Sequence, residues 1–116
     1  GIIDDRVLYV CKYYMASEHW QIVNWNTHHK QLQDGEVECI AVDQAPSGLL
    51  KTALMATALI GRSLYGVDMK EVDGKFYVIE INDNPNIDAG IEDKILKDKL
   101  YASIMEVFLN KIKSDR

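Results

Sequence analysis

The sequence is poor in cysteine, proline and positive charge, and each shortage narrows what the protein can be. Cys11 and Cys39 are the only cysteines in 116 residues. They are too few for a disulfide framework, and the default reading is reduced thiols in a cytoplasmic protein. Only Pro46 and Pro85 interrupt the backbone, so a proline-rich linker or collagen-like chain is excluded. No apolar run approaches the ~20 residues of a membrane span, and no signal-peptide pattern opens the chain. Lys and Arg number 13 against 18 Asp and Glu, a formal charge of −5, which disfavours nucleic acid and anionic membranes as partners. With 47% hydrophobic and 27% charged residues, the composition is that of a single folded domain with a modest core.

The periodicities predict an α+β fold, a two-layer antiparallel sheet with two helices on one face. Ile2 to Ala16 reads as β, with a turn at Asp4-Asp5 and then Val7, Tyr9 and Cys11 alternating. Trp20–Trp25 and Val37–Val42 are further strand candidates, separated by a polar loop over Asn26–Glu36. Pro46-Ser47-Gly48 opens a helix of about four turns with Leu50, Leu54, Ala58 and Leu59 on its buried stripe, ending near Gly61. Leu64–Val72 and Lys75–Asn82 flank Asp73-Gly74, a strong hairpin signal. After the break at Asp83-Asn84-Pro85-Asn86, an amphipathic helix from Ile91 to Ile112 turns Ile95, Leu96, Leu100, Ile104, Val107 and Phe108 to the core.

The hairpin carries the chemistry. Alternation places Tyr65, Val67 and Met69 on one face, with Ile79 and Ile81. Asp68 then shares the other face with Val78, Glu80 and Asn82, so three hard oxygen donors surround one point, a set suited to Mg²⁺. The competing reading is a solvated polar face. Glu80 weighs against it, because VIEI has the hydrophobicity of a central strand, where a bare carboxylate is expensive. Parity adds a condition. A plain two-residue loop would set Asp68 opposite Ile79, so the shared face requires a three-residue loop with a bulge at Gly74 or a compensating bulge elsewhere in the hairpin.

With these residues in view, LIGRSLYGVDMKEVDGKFYVIEINDNPNIDAGIED resembles the C-terminal portion of ATP-grasp ligases, closest to the RimK-like carboxylate–amine ligases that attach amino acids such as glutamate. The matching elements are the Gly-Val-Asp strand, the Glu-Ile-Asn strand and the Asn-Pro turn before a terminal helix. The likeness covers Ala58 to Asp93 well and the preceding chain more loosely. It implies that Asp68, Glu80 and Asn82 hold Mg²⁺ (or Mn²⁺) bridging the phosphates of ATP. It also implies the reaction, in which ATP phosphorylates a carboxylate and an amine attacks the acyl phosphate. Lys12 stands near a place where relatives carry a phosphate-clamping arginine, Trp20 where a second would fall, and Pro85-Asn86 replaces a common Pro-Gly. On this resemblance the whole chain, residues 1–116, is one domain, a C-terminal ATP-grasp piece lacking the family's N-terminal and lid domains. Gly1 ahead of a strand-like run reads as a cut through something longer or as a processed end. Such a piece is expected to be inactive alone and to dimerise through its uncovered surface. The rival class is a non-catalytic binding or assembly module that retains the half-fold.

Other constellations read more plainly. His28-His29 with Cys39 lacks zinc-ligand spacing, because adjacent histidines diverge on a strand, and neither cysteine has the signature of a nucleophile. Trp20, Trp25, Tyr13 and Tyr14 with Lys12 read first as core or interface aromatics and second as a stack for a nucleotide base. Lys94, Lys97 and Lys99 with Glu92, Asp93 and Asp98 read as a solvated helix face, as does the Lys/Asp tail after Asn110.

Overall fold

The structure is a computed structural model, and it describes residues 1–14 and 37–115. The strand expected at Trp20–Trp25 and the loop expected over Asn26–Glu36, with Trp20, Trp25, His28 and His29, lie outside the described residues. The elements in chain order are β1 (Ile2–Ile3), β2 (Arg6–Val7), β3 (Val10–Tyr13), β4 (Val37–Ile40), a 3-10 turn (Val42–Gln44), α1 (Ser47–Ala58), β5 (Leu64–Val72), β6 (Lys75–Asn82) and α2 (Asp98–Ser114). Antiparallel pairing makes a four-stranded sheet in the order β2-β1-β5-β6 and a separate two-stranded β3-β4 sheet. The α+β class therefore holds. No helix among the described residues is long and apolar enough to cross a membrane.

The predicted turn at Asp4-Asp5 joins β1 to β2, with Asp4 at φ 54 and its N–H donating to the Ser63 carbonyl at 2.8 Å. An Asp tolerates this left-handed conformation better than most residues. Its carboxylate is also held, by Lys111 Nζ at 2.7 Å and Arg62 at 3.5 Å. Lys111 thus ties the last turns of α2 to the first hairpin, so the tail after Asn110 is not simply a solvated stretch.

The helices cover opposite faces of the sheet, where one face was expected for both. Ile2 pairs with Tyr65 and Ile3 with Leu64 across β1 and β5. Successive strand residues point to opposite faces. Ile3, fully buried, joins Leu8, Leu100 and Ile104 in a core cluster, with Leu64, Leu96, Val107 and Phe108 packed against it. That is the α2 side. Ile2 and Tyr65 are buried on the other side, where a Cβ on Gly48 of α1 would sit 3.4 Å from the Phe76 ring. The physical reason lies in the pairing of β1 with β5: Ile2 beside Tyr65 and Ile3 beside Leu64 make both faces of the central strands apolar, and each face needs cover.

Both helices differ in detail from expectation. In α1 the buried residues are Ala53 and Thr57, with Leu50 and Leu54 half-buried. Ala58 is exposed and Leu59 is 90% exposed, because the stripe runs 50, 53, 54, 57 and has rotated past them when the helix ends. Thr57, its Oγ1 donating to the Ala53 and Leu54 carbonyls, fits this buried stripe although its residue type does not announce it. The terminal helix begins at Asp98, because Lys97 takes φ 52 and breaks the helical path from Ile91. Turns occupy 91–97 instead, leaving Ile95 exposed while Leu100 and Ile104 remain core.

Those turns have their own polar framework. Asp93 accepts the Gly90 N–H at 2.6 Å and the Tyr101 hydroxyl at 2.7 Å. Lys94, Lys97, Lys99 and Asp98 are exposed as expected, but Glu92 is buried and accepts the Asp88 N–H at 2.7 Å. The Tyr101 hydroxyl, then the Gly90 N–H, hold the Asp93 carboxyl below the usual carboxylate range. Its folded-state titration therefore lies below that of the unfolded chain. The stabilisation it supplies is complete above the ordinary carboxylate value and is lost as pH falls through the lowered one. A carboxyl-carbon NMR titration will show an Asp93 midpoint below the ordinary value, and Tyr101→Phe will move it upward. An unshifted midpoint in the unsubstituted protein would remove this assignment.

Candidate functional site

Asp73 and Gly74, at φ 51 and 76, close the β5–β6 hairpin as a two-residue loop with Val72 opposite Lys75. Paired left-handed residues are the mark of a type I′ turn, favoured for Asp-Gly. From that end the register runs Glu71–Phe76, Lys70–Tyr77 and Met69–Val78. It then shifts, and Asp68 stands opposite Glu80, Val67 opposite Ile81 and Gly66 opposite Asn82. Ile79 is the extra residue, a bulge on β6 at which the residue is 66% exposed. Of the two devices that parity allowed, the structure uses the compensating bulge.

The bulge corrects the expected facing. Phe76 and Val78 fall on the same side as Ile81, Met69, Val67 and Tyr65, whereas Val78 was expected beside Glu80 and Ile79 in the core. Asp68, Glu80 and Asn82 do share a face, reached by skipping Ile79 rather than by simple alternation. A second correction concerns Glu80 itself. Among the described strands β6 is at the edge of its sheet, and Glu80 is exposed, so the cost of a buried carboxylate does not apply to it.

What replaces that cost is repulsion. Directly opposite residues in an antiparallel pair have Cβ atoms about 4.5–5.5 Å apart, and like charges so placed are destabilising. Among the described residues, neither Asp68 nor Glu80 forms a salt bridge or a side-chain hydrogen bond. A divalent cation is the natural complement to such a pair. Asn82 is the next donor along the same face. Its Oδ1 accepts the Asn84 N–H at 2.9 Å, which fixes the amide and leaves the oxygen a second lone pair. The donor set therefore fits Mg²⁺ or Mn²⁺.

The strand and the turn of the family-like motif meet physically. Gly66 lies beneath the turn that follows Asn82, and a Cβ there would come within 2.9 Å of Pro85 Cβ. Glycine at this position is thus a packing requirement. Gly66→Ala is expected to push the Pro85 turn away and cost about 1–3 kcal/mol, read by urea denaturation. Unchanged stability would mean the two segments are not in firm contact.

The charge of Asp68 is felt weakly at the β3–β4 sheet. Burial pushes the Tyr13 hydroxyl up to about 12, with further upward pushes from Cys11, Glu92, Asp68 and Cys39. Burial raises Tyr9 as well, with Glu92, Cys11, Tyr13 and Asp68 adding to it. Tyr9, Cys11 and Tyr13 share one parity along this segment. Lys12 has the other: it is exposed, opposite Glu38, with Nζ 5.0 Å from the centre of the Tyr14 ring, while the Tyr14 hydroxyl donates to Glu38 at 3.0 Å. The register thus sets Asp68, Glu80 and Asn82 on one face of the hairpin, and Lys12 has the opposite parity on β3 to Tyr9, Cys11 and Tyr13.

Buried Glu92 escaped the sequence reading, because its neighbours Lys94, Lys97 and Lys99 make the segment look wholly solvated. With Tyr9, Ile40, Asp43, Leu50 and others it lines a mainly apolar cavity of about 530 Å³ between the β3–β4 sheet, α1 and the 91–97 turns. No protein-family model, curated protein or solved structure matches this chain.

Proposed function

We propose that the chain contributes the magnesium–nucleotide face of an ATP-dependent carboxylate–amine ligase of the ATP-grasp, RimK-like kind. The reaction would convert a carboxylate to an acyl phosphate at the expense of ATP, and an amine would displace the phosphate. One observation carries the reading: the bulge at Ile79 sets Asp68 against Glu80, with Asn82 next on the same face. Without a cation, like charges set directly opposite across a ladder are mildly destabilising.

Each residue has a role in this reading. Asp68 and Glu80 supply the charges that hold the cation, and Asn82 adds an oxygen without adding charge, leaving the site able to accept a polyphosphate. The Asn82–Asn84 hydrogen bond and the Gly66–Pro85 contact hold the donor strand and the following turn in place. Bound magnesium supplies positive charge that neutralises phosphate oxygens as the phosphoryl group moves. Cytoplasmic ATP and an amino acid or peptide are the matching substrates.

The test is a titration of the protein with Mn²⁺, followed by water-proton relaxation, with and without ATP. Binding that tightens with ATP is expected, since such ions borrow phosphate ligands. Metal binding with no nucleotide effect and no ADP release in any longer form of the protein favours the rival, a non-catalytic binding or assembly module. No binding under either condition removes the site.

A further inference from the structure

The two cysteines are distant in sequence and adjacent in the sheet. Cys11 pairs directly with Cys39 across the antiparallel β3–β4 ladder, flanked by the Val10–Ile40 and Lys12–Glu38 pairs. Both are free thiols and partly buried. Directly opposite residues in an antiparallel pair have Cα atoms about 4.5–5.5 Å apart, inside the range of about 4.4–6.8 Å that a disulfide spans. Opposite residues also project to the same face, so the two sulfurs share one side of the ladder.

From this geometry we infer that Cys11 and Cys39 form a site of reversible oxidation, closing to a cross-strand disulfide by exchange with a small disulfide of the glutathione type. In the first step one protein thiolate attacks a sulfur of oxidised glutathione, forming a mixed disulfide and releasing one glutathione thiolate. In the second, the other cysteine attacks the protein sulfur of that mixed disulfide and releases the second glutathione. Two protein thiols are oxidised and one external disulfide is reduced to two thiols, which take up the two protons. The inference stands on the register alone and is independent of any nucleotide chemistry.

Closure has a structural consequence. In the reduced protein the Cys39 thiol donates to the Ile91 carbonyl at 2.8 Å, joining β4 to the turns that carry Glu92 and Asp93. A disulfide sulfur has no proton to donate, so oxidation removes that tie. The same bond clamps β3 to β4. One covalent change therefore tightens the small sheet and loosens its link to the 91–97 turns. Burial, then the neighbouring Cys39, pushes the Cys11 thiol up to about 12, so its thiolate is scarce near neutral pH and closure is slow.

The experiment treats the folded protein with oxidised glutathione, followed by peptide mapping and hydrogen exchange. The expected product is intramolecular, lighter by two hydrogens, with the Cys11 and Cys39 peptides joined and both restored by dithiothreitol. Amides in 91–97 will exchange faster in the oxidised form, and those of β3 and β4 more slowly. Cys11→Ser and Cys39→Ser will each give only a glutathione adduct or no reaction. Two thiols that stay free, or stable adducts that never resolve to a cross-link in the unsubstituted protein, would overturn the inference. So would a cross-link that leaves exchange in 91–97 unchanged, as regards the coupling to that segment.

Discussion

Glu80→Gln is expected to raise the melting temperature of the metal-free protein by about 1–5 °C while abolishing its stabilisation by Mn²⁺ and ATP. The two effects have opposite signs for one reason. Asp68 and Glu80 stand opposite each other with like charge, so neutralising one relieves repulsion when no cation is present. The same change halves the charge available to a divalent ion. On the proposed ligase reading, the loss of phosphate neutralisation should lower ATP turnover by about 10²–10³-fold. Thermal unfolding with and without Mn²⁺–ATP, beside an ADP-release assay, reads both arms. A substitution that left the metal response intact would show that the carboxylates are a solvated pair and nothing more. A loss of stability without metal would mean that Glu80 makes attractive contacts instead.

Leu100→Ala is expected to be the most damaging single truncation, costing about 2–5 kcal/mol in urea denaturation. Leu100 is fully buried where α2 meets Ile3 and Leu8, and Ile104 one turn later closes the same cluster. A domain of ordinary stability has only about 5–15 kcal/mol to lose. Because this cluster joins α2 to β1, while the Asp4–Lys111 bridge holds the far end of the helix, truncation should loosen α2 before it disturbs the β5–β6 hairpin. Hydrogen exchange will show protection lost first over 98–114. A cost below about 1 kcal/mol would mean that the neighbours collapse into the space, as core sites differ in their capacity to do. By contrast Leu59→Ala, at a residue 90% exposed, should change little.

The hairpin shows how much of the site was legible. Both strand boundaries and the Asp73-Gly74 loop follow from local chemistry, since Asp-Gly takes the positive φ pair that a tight hairpin turn needs. Parity then demanded a bulge if the carboxylates were to share a face. Its position at Ile79 was not legible, because a bulge is chosen by how both strands sit against the rest of the sheet. The exposure of Glu80 was not legible for a related reason. A run such as VIEI looks central by composition, and only the strand order places β6 at an edge.

Sequence by itself determined the local alphabet of this protein: the α+β class, the hairpin, the break at Asp83-Asn84-Pro85 and the apolar residues Leu100 and Ile104 that seat the last helix. These depend on backbone preferences and on periodicities spanning a few residues. Tertiary structure decided what comes from distant segments meeting. It put the helices on opposite faces, laid Pro85 on Gly66, buried Glu92, bridged Asp4 to Lys111 and set Cys11 beside Cys39. Each of those depends on register between strands or on packing of one element over another. A one-residue slip of register turns every side chain to the other face, so no local pattern can fix it.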